Sequence, residues 1–179
     1  MPVTWPHDLN IPEWHALGRE AELSAEQIAS GVTALGRASH ARKGFYTQAF
    51  FGLSIGVERI AKLILLAEYA ITTSGEFPTN DILRERFGHD IATLLAHCEP
   101  LSMKYRAGKE YANRPLGDIH NGIVLTLTEF GKLSRYYNLD LIVGGKAATQ
   151  PEPIKVWWER VGRPILSQHY SDREKERDR

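Results

Sequence analysis

A long apolar segment near the middle of the chain carries a short row of polar residues. The run FFGLSIGVERIAKLILLAEY covers Phe50–Tyr69, and within it Ser54, Glu58 and Lys62 recur every four residues. This spacing places their side chains on one face of a helix. A helix that is apolar almost all round belongs inside a bundle, where an unpaired carboxylate or ammonium is very unfavourable. The row therefore predicts either an ion pair that tethers neighbouring helices or the polar wall of a cleft.

A histidine and an aspartate follow one another further along the chain, as His89 and Asp90. A neighbouring carboxylate can fix one tautomer of an imidazole, which would prepare His89 for acid–base chemistry. The structural alternative is that Asp90 caps the helix that follows it, while His89 hydrogen-bonds back to the central helix, for instance to Glu58. The same two residues support both interpretations.

A third polar group stands near residue 136. Arg135, Tyr136 and Asn138, with Tyr137 between the last two, combine a cation with two aromatic rings. An arginine that binds phosphate beside rings that stack on bases would suit single-stranded RNA. Aromatic residues at the end of a core helix can equally pack against neighbouring helices.

The elements that would position these groups are all predicted to be helices. Three prolines in residues 1–22 predict an extended arm, and the capping-box residues Ser24 and Gln27 predict that the first helix begins there. The central helix is expected over 45–73, between a break at Arg42-Lys43-Gly44 and a stop at Thr72-Thr73-Ser74-Gly75. Later helices are expected to start at Thr79 or Asn80, at Asp90, at Asp118 and near Ile154.

Taken together, these signals predict an all-α fold, an up-and-down bundle of four to five helices with an extended N-terminal arm and an extra C-terminal helix. The predicted organisation is an arm over 1–22, a bundle over 23–145, a C-terminal helix over 146–170 packed on the bundle, and a charged disordered tail over 171–179.

Trp157 and Trp158 are adjacent, so one should dock while the other faces outward. Cys98 lies on an apolar stripe and is expected to be inert.

The composition narrows the range of functions. Lys plus Arg and Asp plus Glu both number 22, so the formal charge is zero and nothing suggests a strongly basic nucleic-acid-binding surface. With one cysteine, an internal disulfide is excluded, and neither a metal nor a cofactor is expected. Charged residues interrupt the apolar segment and the N-terminus has no basic start, so we expect no membrane partner and a cytoplasmic location.

Two segments together resemble the HEPN superfamily of small helical bundles. They are SIGVERIAKLILLAEYA and, after a turn, RERFGHDIATLLAH. Members of this superfamily often carry a Glu and a Lys on the second helix and a Gly-His-Asp or similar sequence at the start of the third. Glu58, Lys62 and the Gly88-His89-Asp90 triplet match that pattern, and the likeness covers residues 24–140. The resemblance implies a bundle of four or five helices that is often dimeric.

Catalytic members of the superfamily carry an Arg and a His, four to six residues apart, near the last core helix. In such members the Arg binds the scissile phosphate, and the His assists attack by the 2′-hydroxyl or protonates the leaving oxygen. Three pairs here fit this spacing, namely Arg84 with His89, Arg114 with His120, and Arg163 with His169. Only Arg114 and His120 stand at the entry of the last core helix, so the resemblance implies that they are the catalytic pair.

The resemblance thus implies a HEPN-like protein, expected as a homodimer, that binds RNA or a nucleotide. It also admits a metal-independent endoribonuclease of a defence or toxin–antitoxin system. The alternative is a non-catalytic helical interaction module that acts as a dimer or as a subunit of a larger complex. The zero net charge and the tryptophans near both ends of the chain favour this alternative.

Overall fold

The computed structural model describes residues 12–106, 115, 117–145 and 149–169. This part of the chain forms helices and no strand, which confirms the predicted all-α class. The helices are α1 (Pro12–Arg37), α2 (Gly44–Thr72), α3 (Asn80–Phe87), α4 (Ile91–Arg106), α5 (Asp118–Glu129), α6 (Tyr137–Val143), α7 (Pro153–Trp157) and α8 (Arg163–His169). A π-helical turn over Phe130–Ser134 continues α5, and another over Trp158–Gly162 joins α7 to α8.

The chain divides into two compact units, Met1–Arg114 and Pro115–Arg179. The first unit contains α1 to α4 and the second contains α5 to α8. This division differs from the predicted bundle over 23–145, because α5 shares a compact unit with the C-terminal helices that were expected to be an addition. Within the second unit, Gly122 of α5 lies directly against the backbone carbonyl of Arg160.

The N-terminal arm is where the structure corrects the sequence prediction. Residues 12–22 are not extended but form the first turns of α1, which begins at Pro12 and runs without a break to Arg37. Proline is well tolerated at the first position of a helix, where its missing N–H would have no partner in any case. Ser24 is therefore not a cap. It lies inside the helix, where its hydroxyl donates to the carbonyl of Glu20 at 2.7 Å. Residues 1–11 lie outside the described part of the chain.

Small residues allow α1 and α2 to pack closely as an antiparallel hairpin. A Cβ added to Gly56 would lie 2.6 Å from the side chain of Ile28 and 3.0 Å from the carbonyl of Ser24. A Cβ added to Gly31 would lie 2.8 Å from the backbone nitrogen of Leu53. The two backbones can approach this closely only because these positions are glycine. The hairpin fixes the orientation of α2 within the unit.

The third and fourth helices follow local signals that the sequence contains. Thr79 caps α3, because its hydroxyl accepts a hydrogen bond from the amide of Ile82. Asp90 caps α4 by accepting from the amide of Thr93 at 2.9 Å, as the structural interpretation of this residue predicted. α4 packs on α2 through the buried residues Ala61, Leu65, Leu94 and Cys98. Burial raises the pKa of the Cys98 thiol to about 11, in agreement with an inert core cysteine.

The second unit is built around the pairing of α5 with the C-terminal segment. Its buried side chains include Leu127, Phe130, Val156, Trp157 and Val161. Arg160 also donates to the carboxylate of Glu129 at 2.7 Å, which ties the second π-helical turn to the end of α5. Trp157 is buried whereas Trp158 is exposed, so the prediction that these adjacent rings point in different directions is confirmed.

Candidate functional site

The first unit brings Glu58, Lys62 and His89 together. Glu58 and Lys62 lie one turn apart on α2, and His89 lies in the short connection from α3 to α4. Gly88 precedes it with a φ of 46°, a left-handed conformation that favours glycine, and this residue turns the chain at the end of α3. Because Asp90 then caps α4, the connection is held at both ends and places the imidazole over α2.

The three side chains meet at one oxygen atom. Oε1 of Glu58 lies 2.8 Å from Nδ1 of His89 and 2.9 Å from Nζ of Lys62. A carboxylate only accepts, so the contact with His89 requires a proton on Nδ1. Nδ1 and Nζ are themselves 3.4 Å apart. Because both atoms donate to Glu58, this short distance is not a hydrogen bond between them. The predicted contact between His89 and Glu58 is confirmed.

The cluster lies at the surface, but its members differ in exposure. The His89 side chain is 81% exposed, whereas those of Glu58 and Lys62 are 16% and 18% exposed. Partial burial raises the pKa of Glu58, but the hydrogen bonds and positive charges of Lys62 and His89 outweigh this effect and lower the pKa overall. Glu58 is therefore an anion at neutral pH, and it holds the imidazole so that Nε2 is the nitrogen left for a ligand.

Two residues predicted to accompany this cluster have other hydrogen bonds. Ser54 is buried, and its hydroxyl donates to the carbonyl of Phe51 within the same helix at 3.3 Å. The predicted polar row therefore has two members in the cluster, Glu58 and Lys62. Asp90 serves as the cap of α4 and accepts from the amide of Thr93. Serine commonly satisfies its hydroxyl by bonding back to its own helix, which explains why a polar residue at 54 needs no cleft.

The predicted catalytic pair cannot be placed as a pair. Arg114 lies outside the described residues. His120 is exposed on the first turn of α5, and its ring lies close to Gly117, the cap residue of that helix. The role assigned to Arg114 and His120 by the resemblance thus stays a prediction.

The third predicted group lies in the second unit. Arg135 directly follows the π-helical turn that ends α5, and Tyr136 and Asn138 are both exposed. Nε of Arg135 is buried and has no hydrogen-bond partner within the described part of the chain. A buried N–H is not accessible to an RNA phosphate, so this observation does not bear on RNA contact, and the RNA-contacting role of these residues stays a prediction.

A second polar cluster, with a groove beside it, lies around Glu68 and was not predicted from the sequence. Glu68 on α2 accepts hydrogen bonds from Lys104 at 2.8 Å and from Tyr105, both at the end of α4. Next to it, a groove of about 460 Å³ lies between α2, α3 and α4. Its lining includes Leu65, Glu68, Arg86, Phe87, His97 and Leu101. Glu68 is more than 30 residues from both partners, so the sequence holds no local signal for this cluster.

Among the described residues there is no group of three or more His, Cys, Asp or Glu that could hold a metal ion. Within the same ranges, none of the helices has the length and apolar character needed to cross a membrane.

Comparison of the chain with models of known protein families, with curated proteins and with solved structures gives no match. The resemblance to the HEPN superfamily therefore rests on the residues of the two segments that suggested it.

Proposed function

We propose that this chain is a HEPN-like protein that binds RNA or a nucleotide, with Glu58, Lys62 and His89 as its acid–base site. The observation that carries the proposal is the 2.8 Å contact between His89 Nδ1 and Glu58 Oε1, made by an imidazole that is largely exposed. This contact orients the ring and selects its tautomer, which are the two conditions for proton transfer at Nε2.

The proposed chemistry is that of a metal-independent endoribonuclease. Nε2 of His89 takes the proton of a ribose 2′-hydroxyl while that oxygen attacks the adjacent phosphorus atom. The bond from phosphorus to the 5′-oxygen breaks, and the leaving oxygen takes a proton from water. The products are a 2′,3′-cyclic phosphate and a 5′-hydroxyl. Glu58 stabilises the imidazolium that forms, and Lys62 supplies a positive charge for the phosphate oxygens.

The binding half of this proposal is tested with labelled single-stranded RNA of several sequences at low salt. Replacing Lys62 by Gln should weaken binding about five- to tenfold, because a lysine contact to phosphate is lost. Lys43→Gln is the matched control, since it removes the same charge from an exposed position of the same unit. The proposal fails if the wild-type protein binds none of the RNAs, or if both variants bind equally weakly.

A second candidate function is supported by a different observation. The end of α6 exposes an apolar surface made by Leu139, Leu141, Ile142 and Val143, of which the last two are 79% and 77% exposed. Several exposed apolar side chains on one short helix are more common at a protein–protein interface than on a free surface. We infer as the alternative a non-catalytic helical interaction module that acts as a homodimer or as a subunit of a larger complex, for example a defence system.

The alternative is tested by measuring the mass of the purified protein with size-exclusion chromatography and light scattering. A dimer that becomes a monomer in Ile142→Ser would support it, because the substitution removes apolar area from the centre of the surface. Glu159→Ser, an exposed polar position in the same unit, should leave the mass unchanged. A wild-type protein that is a stable monomer and carries no co-purifying partner would speak against this function.

A further inference from the structure

The groove between α2, α3 and α4 takes no part in the proposed RNA chemistry. Its volume of about 460 Å³ falls within the range of about 300–1,000 Å³ that is usual for small-molecule sites. The acid–base cluster and the groove share no residue. What the groove can bind therefore depends on its own lining residues.

The floor of the groove is apolar. Leu65 from α2, Phe87 from α3 and Leu101 from α4 contribute to it, and Phe87 and Leu101 are only partly buried. α3 itself has no fully buried residue, so it rests on the other helices through a small contact. A ligand with a flat apolar body would cover these side chains and add to the contact that holds α3.

The charges around the groove favour an anion. Glu68 is the acidic residue of its lining, and this carboxylate is already paired with Lys104 and Tyr105, which lower its pKa against the opposing effect of partial burial. Arg86 and His97 also line the groove, and neither makes a hydrogen bond or ion pair with the described residues. Arg86 and His97 therefore offer donors in a groove where the charge of Glu68 is partly offset by Lys104.

We propose that this groove binds a small aromatic carboxylate. The aromatic body would lie on Leu65, Phe87 and Leu101, while the carboxylate would accept hydrogen bonds from Arg86, whose planar guanidinium matches a carboxylate in two-point contact. His97 can donate a further N–H. A singly charged carboxylate fits better than a phosphate dianion, because Glu68 keeps its own charge beside the site and repels a second negative charge more strongly.

The test uses 2-naphthoate as the probe and isothermal titration with the full chain. The neutral isostere 2-naphthylmethanol and the dianion 2-naphthyl phosphate are titrated in parallel. Saturable binding of the carboxylate, at least about tenfold tighter than the alcohol and tighter than the phosphate, is the expected result. No binding of the carboxylate, or equal binding of the alcohol, overturns the proposal. Tighter binding of the phosphate overturns the choice of a carboxylate.

Variants locate the site. Arg86→Gln should weaken 2-naphthoate binding about tenfold, whereas Arg84→Gln, on the same helix but outside the groove lining, should leave it unchanged. Ala96→Phe places a ring into the groove from an exposed helical position, so it should abolish binding without unfolding the protein, as circular dichroism would verify. Equal loss in Arg84→Gln and Arg86→Gln, or full binding in Ala96→Phe, would place the ligand elsewhere. The RNA assays have no bearing on this outcome.

Discussion

His89 and Glu58 are 31 residues apart in the chain, yet the Nδ1 of one donates to the Oε1 of the other at 2.8 Å. The same oxygen also accepts from Lys62, so a single anion holds two cationic or potentially cationic groups that lie 3.4 Å from each other. Without the carboxylate of Glu58, these two donors would lie side by side with no acceptor between them. Glu58 is therefore the residue on which the geometry of the cluster depends.

Replacing Glu58 by Gln should lower stability in a pH-dependent manner. The pKa of Glu58 in the folded protein lies below its ordinary value of 4.5, so its ionised form stabilises the fold above that pH. This contribution is lost as the pH falls through the lowered pKa, because the carboxyl is then protonated in both states. Wild type should melt at a higher temperature than Glu58→Gln at pH 7, and the gap should close at an acidic pH below the lowered pKa of Glu58. A gap of the same size at both pH values would show that the carboxylate charge has no role.

The close packing of α1 on α2 predicts a large effect from one methyl group. In Gly56→Ala, the new Cβ would lie 2.6 Å from Ile28, so the helices must separate. We expect a loss of about 1–3 kcal/mol in the free energy of unfolding, measured in urea. Gly18→Ala in α1 is the control, because no atom lies within 4 Å of its Cβ. That substitution should stabilise the protein by about 0.5–1 kcal/mol through helix propensity. Equal effects would contradict the packing.

The arginine at position 135 should make the folded protein less stable than an apolar residue of the same length would. Its Nε is buried without a hydrogen-bond partner in the described structure, and burial of an unsatisfied donor is unfavourable. Arg135→Met keeps the length and the apolar stem of the side chain but removes the donor. We expect the free energy of unfolding, measured in urea, to rise by about 1 kcal/mol. A loss of stability in this variant would show that the guanidinium has a structural partner.

Cys98 should react slowly with thiol reagents. Its Sγ is buried against α2, 3.5 Å from the carbonyl of Ala61, and burial raises its pKa to about 11. The thiolate is the reactive form, so it is scarce at neutral pH as well as inaccessible. A colorimetric disulfide reagent should modify the unfolded chain rapidly and the native protein only at the rate of unfolding. Rapid reaction of the native protein would contradict this packing.

Helix ends that are set by residues close in the sequence could be predicted. The Thr-Thr-Ser-Gly stop after α2 and the caps at Thr79 and Asp90 all act within one helical turn, and the structure confirms them. The contact of His89 with Glu58 was also predictable, since a carboxylate on an otherwise apolar helix needs a partner. The stop and the two caps each depend on a few neighbouring residues, whereas the contact of His89 with Glu58 joins residues that are 31 apart.

Other features that depend on distant residues could not be predicted. In the second unit Gly122 lies against the backbone of Arg160, and nothing near either residue in the sequence signals the other. The hydrogen bonds from Lys104 and Tyr105 to Glu68 likewise join residues that are far apart in the chain. The start of α1 was missed for another reason, because Pro12 is compatible with an extended arm and with the first position of a helix. Tertiary packing decides between those two states.

Cleavage of a defined oligonucleotide tests the central claim most directly. The substrate carries one ribonucleotide in a DNA strand, the buffer contains a chelator of divalent metals, and an all-DNA strand serves as the control substrate. We predict cleavage after the ribonucleotide to give a 2′,3′-cyclic phosphate, slowed about 10²- to 10⁴-fold in His89→Gln and unchanged in His40→Gln, an exposed histidine outside the cluster. Absence of cleavage by the wild-type protein, or equal rates for wild type and His89→Gln, would contradict the role assigned to the Glu58–His89 contact.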